Sequence, residues 1–200
     1  MLVKICGIQT IEVARVAVEA GADFLGFVFA KSKRQVTKEQ AREIIATLPT
    51  HIKTVGVFVN ETVDEMKATA EISGLDYIQL HGDETAEVAY ALPYKIIKAF
   101  PVTKETLPTI QDYPANYYIL DSPIGGNRGG NGTTFDWDLA HNLPIDKDKI
   151  ILAGGLTSHN VQTAIQRLFP IGVDVSSGVE TNGNKDHTLI QTFIKQAKSS

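Results

Sequence analysis

The chain has 200 residues, of which 43% are hydrophobic and 21% charged, a composition typical of one globular domain. Its formal charge of −4 disfavours nucleic-acid and anionic-membrane partners, which attract clustered positive charge. The single cysteine, Cys6, cannot form an intramolecular disulfide, so a reducing cytoplasm is the expected compartment. The longest apolar run, Phe24 to Ala30, is too short to span a membrane, and the N-terminus lacks the features of a secretory signal.

Short β-rich runs alternate with amphipathic stretches along the chain. Most of these runs are continuously apolar, as strands are when a parallel sheet is buried on both faces. Eight strands are predicted: Val3–Cys6, Phe24–Phe29, Thr54–Val59, Tyr77–Leu80, Lys95–Phe100, Tyr117–Leu120, Ile150–Ala153 and Val173–Val175.

Several of the intervening stretches have a capping side chain ahead of apolar residues at helical spacing. The predicted caps are Thr37 (in a capping box with Gln40), Thr62 (with Glu65), Thr157 and Asp186. Between Pro101 and Pro114 prolines interrupt the pattern, and only a fragment of helix is expected there.

Eight βα units in sequence specify either a closed barrel or a doubly wound open sheet. The count of eight favours closure, and the segment Cys6-Gly7-Ile8-Gln9 after the first strand lacks the glycine-rich dinucleotide fingerprint. The sequence therefore predicts an α/β fold, a single-domain (β/α)8 TIM barrel over residues 1–200, with little room for a further domain.

Active sites of such barrels lie at the carboxyl ends of the strands, and phosphate commonly binds in the loops after strands 7 and 8. Gly154 and Gly155 follow strand 7, and Ser176, Ser177 and Gly178 follow strand 8. Glycines let backbone N–H groups approach an anion, and serines add hydroxyl donors. Either segment alone is an ordinary turn, but the two together, at these positions, predict a phosphate site.

Two candidate catalytic residues end strands at the same mouth. A lone cysteine is usually a small buried hydrophobe, but Cys6 closes strand 1, where a thiolate could be nucleophile, base or metal ligand. Asp121 follows four apolar or aromatic residues at the end of strand 6. Partial desolvation there favours a protonated acid, and the alternative is a cap on the next segment. A base facing an acid suits proton transfer on both sides of a sugar carbon.

Other loops contribute polar candidates. Arg34, after strand 2, has the planar fork that suits a substrate carboxylate. His81 follows strand 4 in His81-Gly82-Asp83-Glu84 and is predicted as a polar wall of the pocket. A metal is disfavoured because neighbours on one loop rarely surround one ion. The Gly- and Asn-rich segment 124–134 suits a mobile lid or an ordinary flexible loop.

In combination these segments resemble the phosphoribosylanthranilate isomerase family of tryptophan biosynthesis, in order and along essentially the whole chain. The motifs are Lys4-Ile5-Cys6-Gly7-Ile8, Gly26-Phe27-Val28-Phe29, Ser32-Lys33-Arg34, Gln79-Leu80-His81-Gly82-Asp83-Glu84, Leu120-Asp121-Ser122, Gly130 to Trp137, Leu152-Ala153-Gly154-Gly155-Leu156, and Gly172 to Glu180. The lid departs from the usual pattern, with Asn131 where the family usually has Thr and Thr133 where Lys is common.

The resemblance implies a cofactor-free Amadori rearrangement of a small-molecule substrate, N-(5-phosphoribosyl)anthranilate, to an aminodeoxyribulose phosphate. By analogy Asp121 is the general acid at the ring oxygen and Cys6 the general base at sugar C2. Arg34 then holds the anthranilate carboxylate, and Asp174 contacts sugar hydroxyls. Gly155, Ser176, Ser177 and Gly178 cradle the phosphate.

Three alternatives stay open at this point. A metal-dependent pentose-phosphate epimerase would need several His and Asp ligands at strand ends. An isomerase that also accepts a histidine-pathway substrate would show two similar half-barrels, and no convincing half-to-half repeat is present. A non-catalytic phosphosugar-binding barrel would not need both Cys6 and Asp121. A monomer is expected because no long apolar stripe stands out, and a homodimer is possible.

Overall fold

The computed structural model describes residues 1–103, 110, 112–121 and 146–199. Within them eight parallel strands form a closed barrel in chain order, β1 to β8. They are β1 Leu2–Cys6, β2 Phe24–Val28, β3 Lys53–Phe58, β4 Tyr77–Leu80, β5 Lys95–Pro101, β6 Tyr117–Asp121, β7 Ile150–Leu152 and β8 Gly172–Val175. The barrel prediction is confirmed, and the strand ends differ from the predicted ones by at most one residue.

Helices cover the outside of the barrel. In the described part of the chain they are α1 Ile11–Ala20, α2 Lys38–Ile45, α3 Val63–Ser73, α4 Ala86–Ala91, α5 Val161–Leu168 and α6 His187–Lys198. A short antiparallel hairpin, β9 Glu180–Thr181 and β10 Asn184–Lys185, precedes α6. The helix fragment expected between Pro101 and Pro114 lies largely outside the described residues, and the predicted lid over 124–134 lies wholly outside them.

Four of the six described helices, α1, α2, α3 and α6, begin after a residue whose side chain caps the first turn. Thr37 and Gln40 form the predicted capping box, and Thr62 accepts from the backbone N–H of Glu65. Asp186 caps α6, as predicted. The prediction for Thr157 is wrong, because α5 begins one turn later, after Asn160. The Asn160 side chain instead accepts the Thr157 backbone N–H at 2.8 Å and closes a turn ahead of the helix.

Two apolar layers hold the barrel, one between the strands and the helices and one inside it. The interior layer near the amino ends of the strands consists of large apolar side chains, namely Phe24, Val55, Tyr77, Ile97, Ile119 and Ile151 with Ala99 and Ala153. Because alternate residues of a strand face the same side, the next inward positions toward the carboxyl ends are Gly26, Val57, Gln79, Ala99, Asp121 and Ala153. Polar groups at this end of the interior, namely Gln79, Asp121 and the buried pair of Lys4 and Asp174, therefore lie among small and apolar side chains. Among the described helices, none is long and apolar enough to cross a membrane.

Candidate active site

Cys6 ends β1 at the barrel mouth and is 8% exposed. Burial raises the pKa of its thiol, and the positive charges of Lys4 and Lys185 oppose that rise. Gly26 on β2 lies opposite Cys6, and a Cβ there would stand 3.0 Å from the Cys6 Sγ. Gly7 has a φ of +83°, a left-handed conformation that turns the chain away at the end of β1. The local backbone thus presents the thiol at the mouth.

A buried ion pair lies beneath this thiol. Lys4, two residues before Cys6, places its Nζ 3.0 Å from both carboxylate oxygens of Asp174 on β8. Burial by itself lowers the pKa of Lys4, but Asp174 and Cys6 more than offset this and raise it, so the ammonium is retained. Asp174, expected to contact sugar hydroxyls, therefore directs its carboxylate at Lys4. Lys4 was missed as a functional residue, although its spacing from Cys6 places both on one strand face.

Asp121 ends β6, as predicted, and lies beside His81. The His81 Nε2 is 3.5 Å from the Asp121 Oδ2, and both side chains are about one-third exposed. On the other side of the ring, Gln79 Nε2 is 2.8 Å from His81 Nδ1. With Gln79 donating to Nδ1, the imidazole carries its hydrogen on Nε2 and directs it at Asp121. Within the described residues the buried Gln79 Oε1 has no partner.

The neighbouring carboxylate of Glu84 is turned away from this group. Lys98 donates to Glu84 Oε2 at 2.9 Å, and the backbone N–H groups of Asn60 and Gly82 donate to the same carboxylate. Burial alone would raise the pKa of Glu84, but these donors lower it. Glu84 thus joins the loops after β3 and β4 and is not available as a metal ligand beside His81. The described residues contain no cluster of three or more His, Cys, Asp or Glu side chains that could hold a metal.

Arg34 lies over Gly7, close to the mouth, with its fork on a protein carboxylate. Its Nε and Nη2 donate to the two oxygens of Glu180 at 2.5 and 2.8 Å. Lys185 donates to the same carboxylate at 2.8 Å, and Lys33 lies 3.2 Å from it. Burial on its own would raise the pKa of Glu180, but the hydrogen bonds from Arg34 and Lys185 outweigh burial and lower this pKa to about 2. Glu180 and Lys185 received no role from the sequence. Arg34 lies 146 positions from Glu180, and the short spacing between Glu180 and Lys185 does not by itself indicate a pair.

The two predicted phosphate segments meet at the end of the barrel formed by β7 and β8. A Cβ on Gly178 would stand only 1.8 Å from the Leu156 carbonyl oxygen, so this glycine allows the two loops to touch. Gly154 and Gly155 have φ of +78° and +64°, and the Cβ position of Gly155 faces open space. The hydroxyl of Ser176 donates to the Cys6 carbonyl at 3.2 Å, so it supports the end of β1.

Backbone donors are available on these loops. Within the described residues, the N–H groups of Gly154, Gly155, Ser177 and Gly178 donate to no protein acceptor. Ser177 is exposed, and it begins a short 3-10 turn whose first N–H groups have no acceptor within that turn. Converging amides of this kind bind tetrahedral anions. The structure thus brings Cys6, Asp121, His81 and the two glycine-containing loops to one mouth, with Arg34 beside them.

Comparison with known proteins gives one consistent result. Residues 3–196 match the family described as N-(5'-phosphoribosyl)anthranilate isomerase. The chain is 53% identical over 199 residues to the N-(5'-phosphoribosyl)anthranilate isomerase of Listeria monocytogenes serotype 4b, covering 99% of this chain and 98% of that one.

Solved structures agree. The phosphoribosyl anthranilate isomerase of Thermotoga maritima superposes with a TM-score of 0.91 at 40% identity, covering all of both chains. A phosphoribosyl anthranilate isomerase in complex with reduced 1-(o-carboxyphenylamino)-1-deoxyribulose 5-phosphate superposes with a TM-score of 0.87, again at 40% identity and full coverage of both chains.

Proposed function

The chain belongs to the N-(5'-phosphoribosyl)anthranilate isomerase family, and we propose that Cys6 and Asp121 are the base and the acid of its reaction. That reaction converts N-(5'-phosphoribosyl)anthranilate to 1-(2-carboxyphenylamino)-1-deoxyribulose 5-phosphate, a step of tryptophan biosynthesis. The observation that supports the assignment is the placement of both side chains at the carboxyl ends of strands of one barrel, where enzymes of this fold carry out their chemistry.

The proposed sequence of proton transfers needs one acid and one base. Asp121 gives its proton to the furanose ring oxygen while the C1–O bond breaks, and the nitrogen lone pair forms the C1=N bond of a Schiff base. The Cys6 thiolate then takes the proton from C2, and the C2–H electrons form a C1=C2 double bond as the nitrogen recovers its lone pair. The resulting enol becomes the ketone when C1 takes up a proton and the C2 hydroxyl loses one, so no proton is gained or lost overall.

The two acidic ends of the substrate are assigned to opposite sides of Cys6. The free amides after β7 and β8, on Gly154, Gly155, Ser177 and Gly178, would receive the phosphate. Arg34 would receive the anthranilate carboxylate through its remaining N–H groups, since Glu180 uses Nε and one hydrogen of Nη2. Asp174 has accepting capacity left beside Lys4 and is retained as the contact for a sugar hydroxyl.

We further propose that residues 1–200 form one catalytic domain that needs no metal or cofactor. The base must be a free thiol, and a reducing compartment such as the cytoplasm keeps it so. A monomer remains the expected state, because the large exposed hydrophobic side chains of the described residues lie singly on different elements.

The test follows the fluorescence of anthranilate as freshly prepared phosphoribosylanthranilate is consumed in the presence of a chelator. Parent protein should turn over, and Cys6→Ser and Asp121→Asn should each lose at least about a hundredfold, the usual scale for a lost acid or base. Asp64→Asn, an exposed carboxylate in the first turn of α3, is the matched control and should keep full activity. A folded parent that does not turn over, or a fully active Cys6→Ser, would refute the assignment.

A further inference from the structure

Lys4 is a buried cation of the barrel interior to which the proposed reaction assigns no role. Lys4 is 1% exposed, and burying a long ammonium side chain is costly unless it is paired. Its partner Asp174 lies directly opposite on β8, with both oxygens 3.0 Å from Nζ. Well-packed hydrophobic residues in place of a buried ion pair often hold a protein at least as firmly. The ion pair therefore calls for an explanation beyond stability.

The position of the ammonium supplies one. Lys4 Nζ and Cys6 Sγ flank the same point on β2, since a Cβ on Gly26 would stand 3.1 Å from the first atom and 3.0 Å from the second. Gly26 thus leaves the space in which the ammonium and the thiol face each other. Asp174 fixes the ammonium from the other side, so Lys4 has little freedom to move away from Cys6.

We propose that Lys4 is a positioning residue for the Cys6 base, its ammonium anchored by Asp174 and directed at the sulfur so that the thiolate is stabilised inside an otherwise desolvating mouth. The inference rests on the proposed role of Cys6 and adds the group that makes a buried thiol usable as a base. A thiolate buried without a cation would be disfavoured, because desolvation penalises the charged form.

The charges around the sulfur agree with this role. Lys4 on β1 and Lys185 on β10 favour the thiolate, whereas Asp174 on β8 opposes it. Arg34, in the loop after β2, is close enough for the negative charge of a Cys6 thiolate to raise the pKa of its guanidinium. The charge of Lys4 favours the thiolate more than that of Lys185, which is held by Glu180 and by the backbone oxygen of Ser176. Lys4 is therefore the cation whose removal should change the titration of Cys6 most.

The experiment reads the thiol directly, because Cys6 is the only cysteine of the chain. The thiolate absorbance near 240 nm is titrated in parent, Lys4→Met and Lys4→Arg, with Cys6→Ser titrated in parallel to subtract the six tyrosines. The rate of alkylation by iodoacetamide against pH gives a second reading. Lys4→Met should raise the thiol titration by at least one pH unit, which is a tenfold loss of thiolate at a fixed pH below it. Lys4→Arg, which keeps the positive charge, should bring the thiol titration most of the way back to that of the parent.

Folding is controlled by a second variant. Lys4→Met leaves Asp174 buried without its cation, so Lys4→Met/Asp174→Asn removes the pair as a unit. The double variant is compared with Asp174→Asn alone, because Asp174 itself opposes the thiolate. If Lys4 only ties β1 to β8, the folded double variant titrates like Asp174→Asn and the proposal is overturned. If Lys4 serves Cys6, the double variant titrates at higher pH than Asp174→Asn. Lys53→Met, at a half-buried lysine at the start of β3 that pairs with Asp76, should leave the titration unchanged.

Turnover separates this inference from the proposed function. A parent that isomerises phosphoribosylanthranilate, with a thiol titration indifferent to Lys4, overturns the role of Lys4 alone. A shifted titration in a parent without turnover preserves the Lys4–Cys6 coupling and rejects the reaction. When both hold, the rising limb of kcat/KM against pH should move upward in Lys4→Met with the thiol titration, and return in Lys4→Arg.

Discussion

Glu180→Gln is the substitution whose consequences the structure defines most sharply. The carboxylate is 5% exposed and receives Arg34 through two hydrogen bonds and Lys185 through a third. Glutamine keeps the size and one accepting oxygen but removes the charge. Three cations, Lys33, Arg34 and Lys185, then lie together without their shared anion.

The magnitude follows from the titration of this group. Its pKa falls from an ordinary 4.5 to about 2 in the folded protein, and each unit corresponds to about 1.4 kcal/mol. The ionised carboxylate therefore contributes about 3 kcal/mol to folding at neutral pH. Because the folded-state pKa lies below the unfolded one, this contribution is complete above about pH 4.5 and is lost as the pH falls toward 2.

Urea unfolding of parent and Glu180→Gln at pH 7, 5, 4 and 3 measures the effect. We expect the variant to be less stable by about 2 to 3 kcal/mol at pH 7, with the difference shrinking steadily below pH 4.5. Glu12→Gln, at an exposed position in the first turn of α1, should differ from the parent by less than about 0.5 kcal/mol at each pH. A difference for Glu180→Gln that is equally large at pH 7 and pH 3 would refute the reasoning.

Kinetics give a second reading of the same variant. Arg34 loses the anchor that fixes its fork, so the substrate must bear an ordering cost of about 1 kcal/mol, which raises KM about fivefold and leaves kcat nearly unchanged. A KM that falls instead would mean that Glu180 competes with the substrate carboxylate for Arg34.

Three further substitutions test the surroundings of the site. Gly26→Ala places a methyl group 3.0 Å from the Cys6 sulfur, and thermal unfolding should show a loss of about 1–3 kcal/mol together with reduced turnover; a fully active, equally stable variant would contradict the tight fit. Lys98→Met leaves Glu84 buried without its cation and should cost about 3–5 kcal/mol in urea unfolding, much of it recovered in Lys98→Met/Glu84→Gln. Gln79→Met removes an unpaired oxygen along with one hydrogen bond, so we expect a stability change within about 1 kcal/mol but a lower kcat. An unchanged kcat would show that this amide does not orient the neighbouring histidine.

The strands and the mouth were predictable because both follow from local rules. A parallel barrel buries each strand on both faces, so its strands are continuous apolar runs that can be counted in the sequence. Once the strand ends are known, Cys6, His81 and Asp121 must lie at one rim. The cap at Thr157 failed for an equally local reason, since the nearby Asn160 side chain accepts the Thr157 N–H and forms a separate turn.

The ion pairs that organise the site were not predictable in the same way. Lys4 and Asp174 are 170 positions apart, and Arg34 and Glu180 are 146 apart. Lys4 meets Asp174 only because the barrel closes in a register that sets these two residues opposite each other. The sequence alone offers many other lysine and aspartate residues that could pair, and it does not say which of them do. Sequence alternation places Lys4 on the same face as Cys6, but it does not supply the partner.

The order of strands around the barrel explains how one thiol can serve a substrate with two acidic ends. β1 lies between β8 and β2, so Cys6 stands between the amide-rich loop after β8 and the arginine after β2. Tetrahedral phosphate suits converging backbone amides, whereas a planar carboxylate suits a guanidinium fork. On the proposed function these two unlike binding chemistries fix the direction in which the substrate lies. The sugar carbons between its ends then lie over Cys6, so the barrel closure that pairs Lys4 with Asp174 also brings the base to the reacting carbon.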